Sequence, residues 1–234
     1  MNGFASLVVL TTLLSGLTLA KDQEAIETVQ SEKGATLTLD PSSPFWEKSR
    51  VIHVEQDRMG KVTPEFRVEV RTRWTKDNLY FLFVCPYQQL YLKPDPKTKE
   101  ETYELWNWDV AEVFLGSDFE NIRRYKEFEV SPQGEWVDLD IDLNKPHHEE
   151  GWKWNSGFEK LARVDSEKHV WYAAMRIPFS AIDARPPIAG NTLRINLFVS
   201  QGPQKNHQEV AWRAPLKETF HVPERFGLIR LVAK

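Results

Sequence analysis

Residues 135–143 alternate between apolar and acidic side chains. The apolar set is Val137, Leu139, Ile141 and Leu143, and the acidic set is Asp138, Asp140 and Asp142. Successive side chains of a β-strand point to opposite faces, so a period of two predicts a strand with one apolar face and one acidic face. We expect the acidic face to be solvated, because a calcium site there would need about six to eight oxygens, some of them from a loop.

Two more strands are predicted just before this one, at 109–115 and 124–130. The segment 131–134 reads Ser-Pro-Gln-Gly. Proline sets the first corner of a tight turn and glycine accepts a positive φ angle. The sequence therefore predicts that the second and third strands form a hairpin.

Strand patterns continue through the rest of the chain. Residues 65–74 alternate cleanly, 79–85 are apolar throughout, and only a short helix is expected, beginning at Pro178. Many short strands separated by turns are typical of an all-β, two-layer antiparallel β-sandwich of the jelly-roll-like kind. The predicted core contains Phe66, Val68, Val70, Phe81, Val113, Phe128, Leu139, Ile195 and Leu197.

The beginning of the chain resembles a secretory signal. An apolar run at 4–14 leads to Thr-Leu-Ala and then to polar residues from Lys21 onward, which is the pattern of a cleaved signal peptide over 1–20. We expect a flexible arm over 21–34, one domain over 35–234, and export to the periplasm or the extracellular space. No later stretch approaches the ~18 apolar residues of a membrane span.

Composition and motifs argue against several functions. With 30 Lys and Arg against 34 Asp and Glu and both signs interspersed, the chain has no basic stripe for nucleic acid. The lone Cys85 is expected to be a buried thiol. There is no nucleophile elbow, zinc-protease motif or phosphate loop, and 147–150 reads as a polar loop. We therefore name no catalytic residue and expect a non-catalytic protein.

Several motifs in order resemble the family 9 carbohydrate-binding modules. They are Trp106-x-x-Asp109-x-x-Glu112, the segment 128–134, Met175-Arg176-Ile177-Pro178, Trp212, and the segment 220–227. The resemblance implies an antiparallel β-sandwich that grips a sugar between two aromatic side chains, which fall on Trp106 and Phe220. Phe220 stands where the best-known modules have tryptophan, so stacking should survive with less area.

The resemblance also implies a set of sugar-contacting residues. The set is Trp106, Asp109, Glu112, Glu129, Phe220 and His221. The family's basic and amide contacts fall on Glu129 and Ser131, so the aromatic pair carries over and the polar contacts do not. Glu112 would contact a sugar hydroxyl or calcium; no cofactor is required, although calcium is possible.

Two functions follow. The first is an exported protein that binds a mono- or oligosaccharide or the end of a polysaccharide, with extracellular glycoside hydrolases as possible partners in polysaccharide breakdown or uptake. The second is a haem-binding electron-transfer domain, which related sandwiches allow; its candidate axial ligands are Met175, His169 and His221.

Overall fold

The computed structural model describes residues 25–32, 34 and 36–234. The predicted signal peptide over 1–20 lies outside these residues. Within the described ranges, no helix has the length and apolar character needed to cross a membrane.

Twelve strands form the framework of this part of the chain. They are β1 (Ile26–Gln30), β2 (Ile52–Val54), β3 (Val68–Trp74), β4 (Asn78–Pro86), β5 (Val110–Gly116), β6 (Arg124–Val130), β7 (Trp136–Asp142), β8 (Glu159–Asp165), β9 (Val170–Pro178), β10 (Thr192–Gln201), β11 (Gln208–Ala211) and β12 (Gly227–Val232). One α-helix of four residues, α1 (Phe179–Ile182), follows β9, as the proline signal predicted. Short 3-10 helices occupy Pro44–Trp46, Pro64–Phe66, Leu105–Asn107, His148–Lys153, Gln204–Asn206 and Pro223–Arg225.

The strands are hydrogen-bonded in the order β7-β6-β5-β10-β12-β1-β3-β4-β9-β8, with β11 beside β10 and β2 beside β3. The sheet folds back so that β5, β6 and β10 face β3, β4 and β9 across the main core. The predicted all-β sandwich is confirmed. It is not antiparallel throughout, because β1 pairs in parallel with both β12 and β3.

Strand β1 changes the interpretation of the predicted flexible arm over 21–34. Ile26–Gln30 is hydrogen-bonded on both edges, and the side chains of Ile26 and Thr28 are buried. These five residues are therefore part of the sheet. The segment reads as polar, so its own pattern gives little sign that two other strands would hold it.

The main core follows from the alternation of side chains along the strands. Eight of the nine predicted core residues are buried, and Cys85 is buried with them. Phe66 is the exception: it lies in the 3-10 helix Pro64–Phe66 and packs half-buried against the core. Leu139 is buried in a second cluster, on the outer face of β5, β6, β7 and β10.

The hairpin between β6 and β7 forms as predicted. Gly134 has a φ of 88° and donates its backbone N–H to the carbonyl of Ser131 at 3.0 Å. Since β7 begins two residues later, this turn fixes which of its side chains face each side of the sheet.

The acidic face of β7 is only partly solvated, which corrects the sequence prediction. Asp138 is fully buried, and its carboxylate accepts a hydrogen bond from the backbone N–H of Ser156 at 2.8 Å. Asp140 pairs with Lys126 at 2.6 Å, and Asp142 lies 3.8 Å from Arg124. The loop at Ser156 folds over this face, which the period of β7 alone could not reveal.

Candidate functional site

An open groove of about 1030 Å³ lies on the outer face of the sheet, away from the main core. Its floor consists of side chains from β5, β6, β7 and β10, because the even-numbered residues of β5 and the odd-numbered residues of β6 point outward. Two 3-10 helices, Leu105–Asn107 and His148–Lys153, and the loop 218–221 bring further side chains to its walls. The groove is thus assembled from segments that are distant in sequence.

The two predicted aromatic side chains both line this groove. Trp106 and Phe220 are each half-buried. Phe220 stacks on the buried ring of Phe198, with centroids 4.2 Å apart and planes 11° apart. Tyr103 meets Trp106 edge-on at 5.4 Å. Each aromatic ring is therefore held by a neighbour and still has surface exposed in the groove, as stacking on a ligand requires.

His221 forms part of the floor beside Phe220. Its ring stacks on Phe114 at 5.4 Å, Nδ1 lies 2.6 Å from the Tyr125 hydroxyl, and the His148 ring is 4.5 Å away. Burial, together with the charge of His148, lowers the pKa of His221 to about 4. At neutral pH His221 is therefore an uncharged polar group on a mostly aromatic surface.

Three glutamates lie close together on the outer face of β5 and β6. Glu112 on β5 is the register partner of Glu129 on β6, and Glu127 lies two residues earlier on the same face of β6. Glu112 and Glu127 are 3% exposed and Glu129 is 0% exposed. One carboxylate oxygen from each lies within 4.8 Å of the others. We call these residues the glutamate cluster.

The surroundings of the glutamate cluster favour its protonated forms. Burial raises the pKa of Glu127 to about 7. Burial raises the pKa of Glu129 well above the usual range, and the charges of Glu127 and Glu112 add to the shift. The pKa of Glu112 is also raised well above the usual range, mainly by burial and further by the negative charges of Glu127 and Glu209. Without a counter-charge, the three carboxyls cannot all ionise at neutral pH at low cost.

The groove has few free cations to supply that counter-charge. Arg58 is the one arginine that lines it among the residues the structure describes, and its guanidinium is bonded to Glu209 at 2.6 Å and lies 3.4 Å from Glu218. The acidic side chains lining the groove are Glu104, Glu112, Glu127, Glu149, Glu209 and Glu218. The basic side chains other than histidines are Arg58 and Lys93. The groove therefore has a negative balance.

Four of the six predicted contact residues line the groove: Trp106, Glu112, Phe220 and His221. Asp109 does not. Its buried carboxylate accepts hydrogen bonds from the backbone N–H groups of Tyr91 and Gly202, both at 2.8 Å. Asp109 thus ties two loops together beside the groove and is not placed to contact a ligand. Its position just before β5 does not distinguish these two roles.

Glu129 is also absent from the groove surface, since it is 0% exposed and does not line the groove. It is therefore not placed for the direct sugar contact that the sequence predicted. Glu127 was not predicted, although its two-residue spacing from Glu129 was a usable signal.

Other lining residues could not have been found from local sequence. Arg58 comes from the loop between β2 and β3, and His148 and Glu149 come from a segment predicted to be a polar loop. Tyr103 belongs to the long loop before β5 and also contacts Trp152 at 5.2 Å. These side chains meet only because the loops fold over one face of the sheet.

The candidate haem ligands lie in three different parts of the molecule. Met175 is buried in the main core, His169 is exposed in the turn between β8 and β9, and His221 lies in the groove. They do not form one site.

A β-sandwich with an open groove of aromatic and acidic side chains on one outer face has the architecture of a ligand-binding domain. The family described as "Carbohydrate family 9 binding domain-like" matches residues 42–234, and the chain belongs to this family. The family is one of non-catalytic carbohydrate-binding modules, as the sequence predicted.

Solved structures with the same fold include a family 9 carbohydrate-binding module from Caldicellulosiruptor kristjanssonii, seen in complexes with cellotriose and with glucose. Both have a TM-score of 0.62 and 13% identity; the match covers 89% of this chain and 94% or 96% of theirs. A putative carbohydrate-binding protein from Bacteroides uniformis ATCC 8492 has a TM-score of 0.70 and 13% identity, with 89% and 99% of the two chains covered.

One curated relative is also similar in sequence. It is an "Extracellular protein" from Arthroderma benhamiae (strain ATCC MYA-4681 / CBS 112371), 23% identical over 169 residues, which is 67% of this chain and 70% of the relative.

Proposed function

We propose that the groove binds a sugar, which stacks between Trp106 and Phe220 while its hydroxyls bond the polar side chains of the floor. The observation that carries this proposal is that both aromatic side chains are half-buried and line the same groove. An exposed aromatic face covers the apolar C–H surface of a pyranose, and side chains such as Glu112 and His221 offer hydrogen-bonding partners beside it. Stacking and hydroxyl contacts of this kind require no cofactor.

The ligands of the similar solved structures guide the choice of test sugar. The module from C. kristjanssonii is described in complexes with cellotriose and glucose. We therefore expect cellotriose and glucose to be the first sugars worth testing with this chain. A difference between the two would show whether the groove holds more than one sugar ring.

We extend the proposal to the site of action. The pattern of residues 1–20 is that of an export signal, and the similar protein from A. benhamiae is named as extracellular. An exported sugar-binding domain would work beside glycoside hydrolases in polysaccharide breakdown or uptake. Export is checked by N-terminal sequencing of the secreted protein: a mature chain starting near Lys21 supports it, and an intact Met1 in the cell fraction contradicts it.

The binding test uses titration calorimetry with cellotriose. Trp106→Ala and Phe220→Ala should each weaken binding by about tenfold or more, which corresponds to roughly 1.4 kcal/mol. Trp154→Ala is the matched control, since Trp154 is also half-buried but lies outside the groove, beneath Lys126. A circular dichroism spectrum and an unfolding curve should show that all three variants remain folded.

The substitution Phe220→Trp tests the stacking in the opposite direction. A larger ring that still lies against Phe198 should tighten cellotriose binding, because more aromatic surface covers the sugar. Full retention of binding by both alanine variants, or a loss equal to that in Trp154→Ala, would contradict the role of the aromatic pair.

A further inference from the structure

Glu129 is the most unusual buried group among the described residues of the groove region. It is 0% exposed, and no hydrogen-bond donor from outside the glutamate cluster reaches either of its carboxylate oxygens. One oxygen of Glu127 is likewise buried without a donor. An unpaired buried polar group costs ~1–3 kcal/mol, and more when it is charged. A side chain with this cost normally has a partner.

The carboxylates of the glutamate cluster lie close together. Glu129 and Glu112 face each other across the β5–β6 ladder, and Glu127 stands beside Glu129 on the same strand. One oxygen from each lies within 4.8 Å of the other two. Oxygens bound to one calcium ion at ~2.3–2.6 Å can be separated by at most about 5.2 Å. The spacing thus permits all three carboxylates to bind one ion.

The type and number of ligand atoms also favour a hard cation. Three carboxylates offer up to six oxygens, and the Ser200 hydroxyl bonds Glu112 beside them. Calcium takes about six to eight oxygens and accepts irregular arrangements of mono- and bidentate carboxylates. The cluster contains no histidine or cysteine, the ligands that softer metals such as zinc or copper prefer.

The arginine whose charge acts on Glu112 is already engaged by other carboxylates. It is Arg58, which is bonded to Glu209 at 2.6 Å and lies 3.4 Å from Glu218. Glu112 and Glu127 are the two members that line the groove, so an ion between the carboxylates would be reached from the groove side.

We propose that Glu112, Glu127 and Glu129 bind a divalent hard cation, with calcium the best-matched, and that the ion's remaining coordination positions face the groove. This inference rests on the proposed function for its role, because a sugar hydroxyl or water would complete the coordination from the groove side. Ion binding itself can be measured without sugar.

The test is titration calorimetry of the chelator-treated full chain with calcium chloride at pH 7.5, in the absence of sugar. We expect one ion per chain and a rise in the thermal midpoint. Glu129→Gln should weaken binding at least tenfold, since an amide supplies one neutral oxygen in place of a carboxylate. Glu104→Gln is the matched control: Glu104 lines the same groove but is not in the cluster, and its side chain is exposed. Its calcium affinity should remain within about twofold of the unsubstituted chain.

A second measurement distinguishes the ion from a proton. Calcium affinity should increase from pH 6 to pH 8, because the cluster must release its protons to bind the ion. Near-ultraviolet circular dichroism of Glu129→Gln checks that the variant folds. If that variant binds calcium as tightly as the unsubstituted chain, the cluster is not the site.

The remaining outcomes separate this inference from the proposed function. If neither calcium nor magnesium binds but cellotriose does, the cation site is overturned and the sugar site stands. If calcium binds and no sugar does at any calcium concentration, the proposed function fails while the ion site remains. Displacement of bound calcium by glucosamine, but not by glucose, would show that an ammonium group can take the ion's place. If glucosamine binds and calcium does not, the inference is wrong and the cluster recognises an amine.

Discussion

The two outer faces of the sandwich each bury an ionisable side chain, and the two side chains differ in their hydrogen bonding. On the face of β3 and β4, Arg73 is 5% exposed. Its guanidinium donates to the backbone carbonyls of Val29 at 2.9 Å, Phe45 at 2.8 Å and Gln30 at 3.0 Å. On the face of β5 and β6, Glu129 is completely buried and has no donor from outside its cluster.

The difference separates a structural charge from a functional one. Arg73 fixes strand β1 and the segment before Trp46, because each of its bonds ends on one of these two pieces of backbone. Glu129 fixes nothing of this kind, and with its neighbours it raises the cost of folding. A protein can keep such a destabilising group at a binding site, where a ligand compensates for it.

The largest expected change in stability comes from the face where the buried charge is fully hydrogen-bonded. Arg73→Met removes the donor to three carbonyls, so the free energy of unfolding should fall by at least about 3 kcal/mol. Urea unfolding followed by circular dichroism measures it. Arg71→Met is the control on the same strand, since Arg71 has an ion pair with Glu69 at 3.9 Å and should cost less than about 1 kcal/mol. Equal losses in the two variants would show that the carbonyl contacts of Arg73 are unimportant.

The next largest change is an increase in stability. In buffer with EDTA at pH 8, Glu129→Met should increase the free energy of unfolding by about 1–3 kcal/mol, because an apolar side chain of similar length replaces an unpaired buried carboxyl. Leu139→Met, at a buried apolar position on the same outer face, is the control and should cost less than about 1.5 kcal/mol. A marked destabilisation by Glu129→Met would mean that Glu129 is a structural group like Arg73.

The pH profile adds a check on the groove face, where both Glu127 and His221 lie. A carboxyl whose pKa is raised in the folded state stabilises the protein fully below its unfolded pKa and loses that contribution as the pH rises through the folded value. Glu127, raised to about 7, should therefore make the unsubstituted chain less stable between pH 4.5 and 7 in EDTA. Calcium should reduce this loss. His221, with its pKa lowered to about 4, acts in the other direction and favours the folded state as the pH rises from 4 to 6.5.

The contrast between the faces was only partly predictable from sequence. Period-two patterns predicted strands β5, β6 and β7 and most of the core, because a strand buried on one face alternates apolar and polar residues. The proline and glycine of 131–134 predicted the turn. The pattern also placed Glu127 and Glu129 on one side of β6. It could not show that Glu112 faces them, since strand register depends on a partner strand, or that the loop carrying Arg58 closes the groove.

The hydrogen-bond partners of each buried acid were the least predictable feature. Asp109, Asp138 and Glu129 are all buried acids near strand ends or on strands, yet two of them accept backbone hydrogen bonds and the third does not. The donors for the first two come from the backbone of loops distant in sequence, at Tyr91, Gly202 and Ser156. No local pattern encodes which loop will arrive above a given carboxylate.

The smallest expected effect comes from the other side of strand β6. Lys126 lies between the outward-facing Tyr125 and Glu127 and points to the opposite face, where it pairs with Asp140 at 2.6 Å; the two side chains are 22% and 39% exposed. Lys126 also lies 4.4 Å from the Trp154 ring, so it keeps a partner if Asp140 is changed. Asp140→Asn should lower the free energy of unfolding by less than about 1 kcal/mol at pH 7, because water already solvates much of this pair. In ~1 M salt, where the screening length falls to about 3 Å, the loss should nearly vanish. Urea unfolding at low and high salt measures both values. A loss above about 2 kcal/mol that salt does not reduce would mean that this face buries its charges as tightly as the Arg73 face does.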